Sequence, residues 1–231
     1  MLLRFVIVAG PPSAGKTSVM RHTLGHLLAE KIPVAACKID CPRQTPDAMR
    51  YRDLGIPVAA GVSGCLCPDR FYTANLKDVW WWAQGQKAEV VVLETAGLCH
   101  RCVPWMVGGR SIFVIDHQSG LDMSTKFSPL IAAADIVAVT KADQVSELES
   151  RILRRRTAQI NPRAPVIDVN GLTGRGSKCL GEAILNDRPL GKSHGALAYP
   201  MPAATCACCT NDAAAGHADS EGPTIKRRLC A

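Results

Sequence analysis

An apolar run that passes straight into a glycine-bounded loop constrains this chain more than any other feature. Residues 2–9, LLRFVIVA, read as a buried strand, and GPPSAGKTS follows at residues 10–18. Gly10, Gly15, Lys16 and Thr17 satisfy the pattern GxxxxGK(S/T) in a strand–loop–helix setting. The glycines let the backbone of Gly10, Pro11, Pro12, Ser13, Ala14 and Gly15 curl until successive N–H groups converge on phosphate oxygens. The helix that follows adds the positive end of its dipole. Lys16 is expected to reach the β- and γ-phosphates, Thr17 to ligate Mg²⁺ and Ser18 to touch the α-phosphate.

The rest of the chain repeats the alternation that such a unit requires. Strands are expected at 2–9, 33–39, 56–62, 89–94, 110–116, 135–140 and 165–170, several of them continuous Val/Ile/Leu runs. Helices are expected at 16–31, 47–54, 69–83, 123–133, 146–160 and 176–186. This pattern predicts an α/β fold, a single P-loop NTPase domain over residues 1–186 with a mostly parallel, doubly wound sheet. Residues 187–231 turn rich in Ala, Gly, Pro and small polar side chains without periodicity, and read as a disordered tail carrying a CACC cluster.

Composition removes some function classes. The net charge is +7, but the basic residues are scattered or in short runs and aromatics are only 5%, so a nucleic-acid-binding face is not expected. No run approaches the ~20 apolar residues of a membrane span, and no secretory leader is legible. A cytoplasmic protein is the expectation.

Acids stand where the phosphate chemistry needs them. Asp40 ends the second expected strand, in position to face Mg²⁺ or the attacking water. Glu94 ends the run VVVLE and is followed by TAG, so its carboxylate is expected to hold the metal and the Gly97 N–H to sense the γ-phosphate. Lys16, Asp40, Glu94 and Gly97 thus form the expected hydrolytic set. Base identity comes from TKAD at 140–143, about 125 residues after the loop. Asp143 can accept two hydrogen bonds from guanine, and the stem of Lys141 can lie across the base. The segment NGLTG, residues 170–174, supplies Gly171 and Leu172 as a second base-contacting loop. GTP is the expected nucleotide.

Eleven cysteines in a chain without a secretory leader point to metal ligation rather than a disulfide framework. Cys65 and Cys67 form GCLC after the third strand, and Cys99 and Cys102 form CHRC just after Glu94. Such spacings let two thiolates converge on one soft ion, and His100 could add an imidazole. Cys37 and Cys41 flank Asp40, while Cys206, Cys208 and Cys209 make up the tail cluster. Cys179 and Cys37 read as buried small hydrophobes, Trp80–Trp82 as helix packing, and His22 with His26 as part of a solvated helix face.

The segments GPPSAGKTS, TPDAMRYRDLGIPVAAGVSGCLC, LETAG with its following cysteines, and TKAD together resemble the nickel-insertion GTPases of the HypB/UreG type, with CobW metallochaperones as relatives. The resemblance covers roughly residues 1–186. It implies a Ni²⁺ or Zn²⁺ site at Cys65 and Cys67, at the interface of a nucleotide- or metal-dependent homodimer, with Cys99 or Cys102 as a further ligand. It also implies docking to a client metalloenzyme or other maturation factors; hydrolysis by itself is expected to be slow, as in switch GTPases lacking a partner's arginine. Two departures stand out: the family's histidine is replaced by Cys67, and a second cysteine joins the CHRC pair. More sulfur and less nitrogen favours Zn²⁺, Cu⁺ or an iron–sulfur cluster. A nucleotide-gated cluster protein is therefore the competing reading, and a P-loop kinase or transferase with dispensable cysteines a third.

Overall fold

The computed structural model describes residues 3–40, 46–64, 68–96, 105–186 and residue 198. The seven strands are β1 (Arg4–Ala9), β2 (Val34–Asp40), β3 (Val58–Val62), β4 (Val90–Glu94), β5 (Arg110–Asp116), β6 (Ile136–Thr140) and β7 (Val166–Asp168). They form one sheet in the order β3-β2-β4-β1-β5-β6-β7, and every pairing is parallel. The helices are α1 (Lys16–Ala29), α2 (Asp47–Arg52), α3 (Pro68–Gly85), α4 (Met123–Lys126), α5 (Ser128–Ala132), α6 (Glu147–Ile160) and α7 (Ser177–Leu185).

Alternation of side chains explains why the strands read as unbroken apolar runs. Phe5, Ile7 and Ala9 of β1 join a core with Leu76, Val79 and Trp80 of α3 and Leu130 of α5. Val6 and Val8, pointing the other way, pack with Val19, Met20 and Leu24 of α1 and Leu180 of α7. From Phe5 to Ala9 both faces of β1 are dry, so a polar side chain at these positions would be buried without a partner. The strand sits at the centre of the sheet, between β4 and β5. The loop leaving its C-terminal end therefore has neighbours on either side, as expected where ligands bind in open parallel sheets.

The structure corrects several sequence expectations. The helix anticipated at 123–133 is two short ones, divided at Phe127 (φ −101°, ψ 17°). Pro129 sits in the first turn of α5, where its missing N–H costs nothing, but inside a continuous helix its ring would clash with the preceding turn. The break also turns Phe127 inward, 5.6 Å from the ring of Phe113. Cys179 is exposed, not buried, because the inward stripe of α7 is Ser177, Leu180, Gly181 and Ile184. His22 and His26 are half-buried against the α7 side rather than solvated. The three tryptophans divide by helical phase: Trp80 is buried, Trp82 packs partly on the core and Trp81 is 68% exposed. Cys37 is buried as expected, and burial raises its thiol pKa. Cys41, the CACC cluster and nearly all of 187–231 lie outside the described residues.

Candidate nucleotide-binding site

The loop between β1 and α1 is shaped by its glycines and tied down from β6. Gly10 has φ +152°, and a Cβ there would lie 2.1 Å from the Val114 carbonyl oxygen of β5, so no side chain fits where the two strands meet. Ser13 (φ 61°) and Gly15 (φ 89°) both adopt the left-handed conformation, which turns the chain into the helix. Thr140 at the end of β6 donates its hydroxyl proton to the Ala14 carbonyl at 2.7 Å. The first residue of TKAD thus fixes the phosphate loop, a role its sequence position did not reveal. Helix α1 opens at Lys16 with no side-chain cap, leaving its first N–H groups directed at the loop.

Lys16 is buried and donates to the carbonyls of Gly10 (3.0 Å) and Pro11 (2.9 Å). Burial dominates its titration and lowers its pKa to about 8, although Glu94, Asp47 and Asp40 pull the other way. A phosphate delivered beside this ammonium would supply the charge compensation that two neutral carbonyls do not.

Glu94, fully buried at the end of β4, is the centre of the polar network. Its Oε1 accepts from the Thr17 hydroxyl (2.8 Å) and from the Lys38 ammonium (2.6 Å), and its Oε2 accepts from the Tyr51 hydroxyl (2.6 Å). Lys38 Nζ also stands 3.6 Å from Asp40 Oδ1 and 3.9 Å from Asp47 Oδ2. Burial alone would lower the Lys38 pKa, but the charge and hydrogen bond of Glu94, with the two aspartates, outweigh it and hold the ammonium above its ordinary range. The Tyr51 hydroxyl is raised well above its usual value by burial first and by Glu94 second, so it remains a donor. Lys16, Thr17, Lys38, Asp40, Asp47 and Glu94 line one cavity of about 380 Å³. Its hydroxyl and carboxylate oxygens suit Mg²⁺, a hard cation that takes oxygen ligands.

Thr17, Asp40 and Glu94, expected to act together, are therefore brought together. Lys38, Tyr51 and Asp47 were missed. A lysine inside a buried parallel strand was the available signal, since it requires an acid partner. The β2–β4 register supplies one by setting Lys38 opposite Glu94.

The residues expected to recognise the base gather at the ends of β6 and β7. Lys141 is left-handed (φ 59°), and its Nζ lies 3.5 Å from Asp116 Oδ1 at the end of β5. Asp143 is exposed and accepts a hydrogen bond from Asn170 Nδ2 at 3.0 Å. Asn170 Oδ1 in turn accepts from the backbone N–H of Leu172 (2.8 Å) and Thr173 (2.9 Å), shaping the 170–174 loop. A Cβ on Gly171 would sit 3.1 Å from Ser18 Cβ, so this loop packs on the first turn of α1. Leu172 projects outward, 79% exposed. Gly97, Cys65, Cys67, Cys99, His100 and Cys102 lie outside the described residues. Their segments depart from the C-terminal ends of β3 and β4, the second being the strand of Glu94.

A phosphate loop on the central strand of a seven-stranded, all-parallel sheet, with a hydroxyl and a strand-end acid joined beneath it, defines the P-loop NTPase class of nucleotide-binding domains. The match of residues 4–168 to the CobW/HypB/UreG nucleotide-binding domain makes the assignment specific, and the chain belongs to that family. An uncharacterized protein of Methanocaldococcus jannaschii, MJ0120, is 38% identical over 211 residues, spanning 91% of this chain and 90% of that protein. Among solved structures, the hydrogenase maturation factor HypB from Archaeoglobus fulgidus superposes with a TM-score of 0.63 at 21% identity, over 78% of this chain and 87% of that one. HypB from Helicobacter pylori in complex with nickel gives 0.64 at 17% identity, over 83% and 91%. At these identities the two likenesses show the shared fold. Among the described residues no helix is long and apolar enough to cross a membrane.

Proposed function

We propose that this protein is a GTP-binding and GTP-hydrolysing metallochaperone whose nucleotide state controls a thiolate-rich metal site and the delivery of that metal to a client metalloenzyme. One juxtaposition carries the reading: Glu94 is hydrogen-bonded to the P-loop hydroxyl of Thr17, and five residues later the same strand exit runs into Cys99. Loss of the γ-phosphate would release Thr17 and Glu94 from their nucleotide-bound arrangement, and the Cys99 and Cys102 segment is the first part of the chain to feel it. The homodimer belongs to the same proposal, as does the Cys65 and Cys67 pair leaving β3. The nickel-bound relative and the family it shares with this chain support the proposal.

In this reading Lys16 compensates phosphate charge. Thr17, Asp40 and Glu94 would hold Mg²⁺, which neutralises charge between the terminal phosphates. The Gly97 N–H senses the γ-phosphate. Lys141 covers the base, and Asp143, aimed by Asn170, accepts from the ring N–H and exocyclic amine of guanine. Hydrolysis without a partner's arginine is slow.

Base choice gives the first test. Unlabelled GTP is expected to displace a fluorescent GDP analogue at least ~30-fold more effectively than ATP, since a hydrogen bond to a charged acceptor is worth about 1.5–3 kcal/mol and guanine makes two. Asp143→Asn should lose that preference and accept XTP, whose base presents a carbonyl where guanine has an amine. Equal displacement by ATP and GTP would remove guanine from the proposal.

Metal content gives the second. Protein purified without oxygen is expected to be colourless and to hold Ni or Zn that is absent from Cys65→Ala/Cys67→Ala, as measured by elemental analysis. A brown wild-type protein with iron and sulfide in similar amounts, bleached in the double variant, would replace the metallochaperone with a cluster-bearing switch.

A further inference from the structure

Of the buried charged side chains that line this cavity, Lys38 alone has no role in the proposal above. It projects from the second strand into the same cavity as Thr17 and Glu94, and is 4% exposed. Three carboxylates face its ammonium: Glu94 at 2.6 Å, Asp40 at 3.6 Å and Asp47 at 3.9 Å. These are the cavity's anionic oxygen donors, contributed by β2, α2 and β4. Lys16, the cavity's other buried lysine, turns instead to the loop carbonyls.

The contacts at Glu94 Oε1 sharpen the point. A carboxylate oxygen offers about two lone-pair directions. Here one receives the Thr17 hydroxyl and the other the Lys38 ammonium, while Oε2 is engaged by Tyr51. A divalent cation that used Thr17 and Glu94 together would have to take over ground that Lys38 now holds. The side chain is tethered, so its charge cannot diffuse away. It can leave the acids only if another anion within reach accepts it.

We propose that the Lys38 ammonium is a built-in stand-in for the divalent cation of this site, and that it makes metal binding contingent on the nucleotide. The proposal rests on the reading of the cavity as a Mg²⁺–nucleotide site and adds a residue that couples the two ligands. Without phosphate, a metal ion must displace a buried ammonium that has no other anion to go to, so Glu94 stays paired with Lys38. When a nucleotide enters, its phosphates line the same cavity and offer the ammonium a new partner. Glu94 Oε1 is then released to the incoming ion. The same arrangement helps three acids share one cavity: Lys38 offsets part of their mutual repulsion before any ligand arrives, and Arg50, 3.7 Å from Asp47, offsets more.

The test is metal binding in the absence of nucleotide, with Mn²⁺ as an oxygen-preferring probe read by its electron paramagnetic resonance signal. Full-length wild-type protein and Lys38→Arg, which keeps the charge, are expected to bind Mn²⁺ weakly at this site. Lys38→Met should bind it at least ~10-fold more tightly, because the ammonium held 2.6 Å from Glu94 is gone and that carboxylate then lacks its ion-pair partner. Equal Mn²⁺ affinity in wild type and Lys38→Met overturns the proposal. Should Lys38→Met fail to fold, the wild-type protein decides alone: Mg²⁺ is expected to raise its Tm only when GDP is present, and an equal rise with Mg²⁺ alone overturns the proposal. A wild-type protein that binds neither GDP nor GTP would instead defeat the nucleotide reading, while the Mn²⁺ comparison would still report on Lys38.

Discussion

Lys16→Ala is expected to weaken GTP and GDP binding by at least ~100-fold while leaving the domain folded, because a buried charge-assisted phosphate contact is worth about 3 kcal/mol or more. The ammonium is held in place by two carbonyls and carries no packing role in either core. Its removal therefore costs the ligand far more than the fold. The same residue imposes a pH dependence. Without phosphate its pKa is about 8, since burial penalises the charged form. The phosphate chain binds the protonated form, so affinity should be flat below that pH and should fall by up to tenfold per pH unit above it. The sign is definite: a nucleotide returns charge compensation to the ammonium and raises its pKa, so raising the pH through the free-state value works against binding. Isothermal titration between pH 6.5 and 9.5 measures this. Lys16→Met should show weak affinity and no loss above pH 8. A wild-type profile that stays flat to pH 9.5, together with unimpaired binding by Lys16→Ala, would mean that Lys16 is not the phosphate's partner.

Glu94→Ala should produce the largest loss of stability. The carboxylate is fully buried and satisfies Thr17, Lys38 and Tyr51 at once. Deleting it leaves a buried ammonium with only the more distant Asp40 and Asp47, and breaking a buried pair in this way costs about 3–5 kcal/mol. For a domain of this size the Tm should fall by roughly 6–20 °C. Glu94→Gln keeps two acceptor directions on its carbonyl oxygen and should fall less. Lys38→Met/Glu94→Ala should lose less than the sum of the single variants, because the second change removes the charge that the first stranded. Scanning calorimetry of the four proteins separates these cases. Additive losses would show that Lys38 and Glu94 are not a coupled pair.

Much of this architecture is legible in one dimension. From Phe5 onward β1 reads as an unbroken apolar run because Phe5 and Ile7 enter one core while Val6 and Val8 enter the other. The phosphate loop is legible because its chemistry is local: Gly10, Gly15, Lys16 and Thr17 are neighbours in sequence as well as in space. The break at Phe127 was also written in the chain, in Pro129, but the periodicity of 123–133 obscured it. Cys179 was misread because a cysteine's type suggests burial, whereas the phase of α7 decides it.

What needed the tertiary structure is every interaction between residues far apart in the chain. The hydrogen bond from Thr17 to Glu94 spans 77 residues, that from Thr140 to Ala14 spans 126, and that from Lys38 to Glu94 spans 56. Strand order and register, not sequence spacing, bring such groups into contact. The sequence alone determined the alternation of buried strands and helices, the phosphate loop and the family, because local pattern and backbone chemistry encode them. Only the folded sheet decided that β2 would lie beside β4 and set Lys38 opposite Glu94, because a charge buried that deeply is tolerable only where a distant strand supplies its counter-charge.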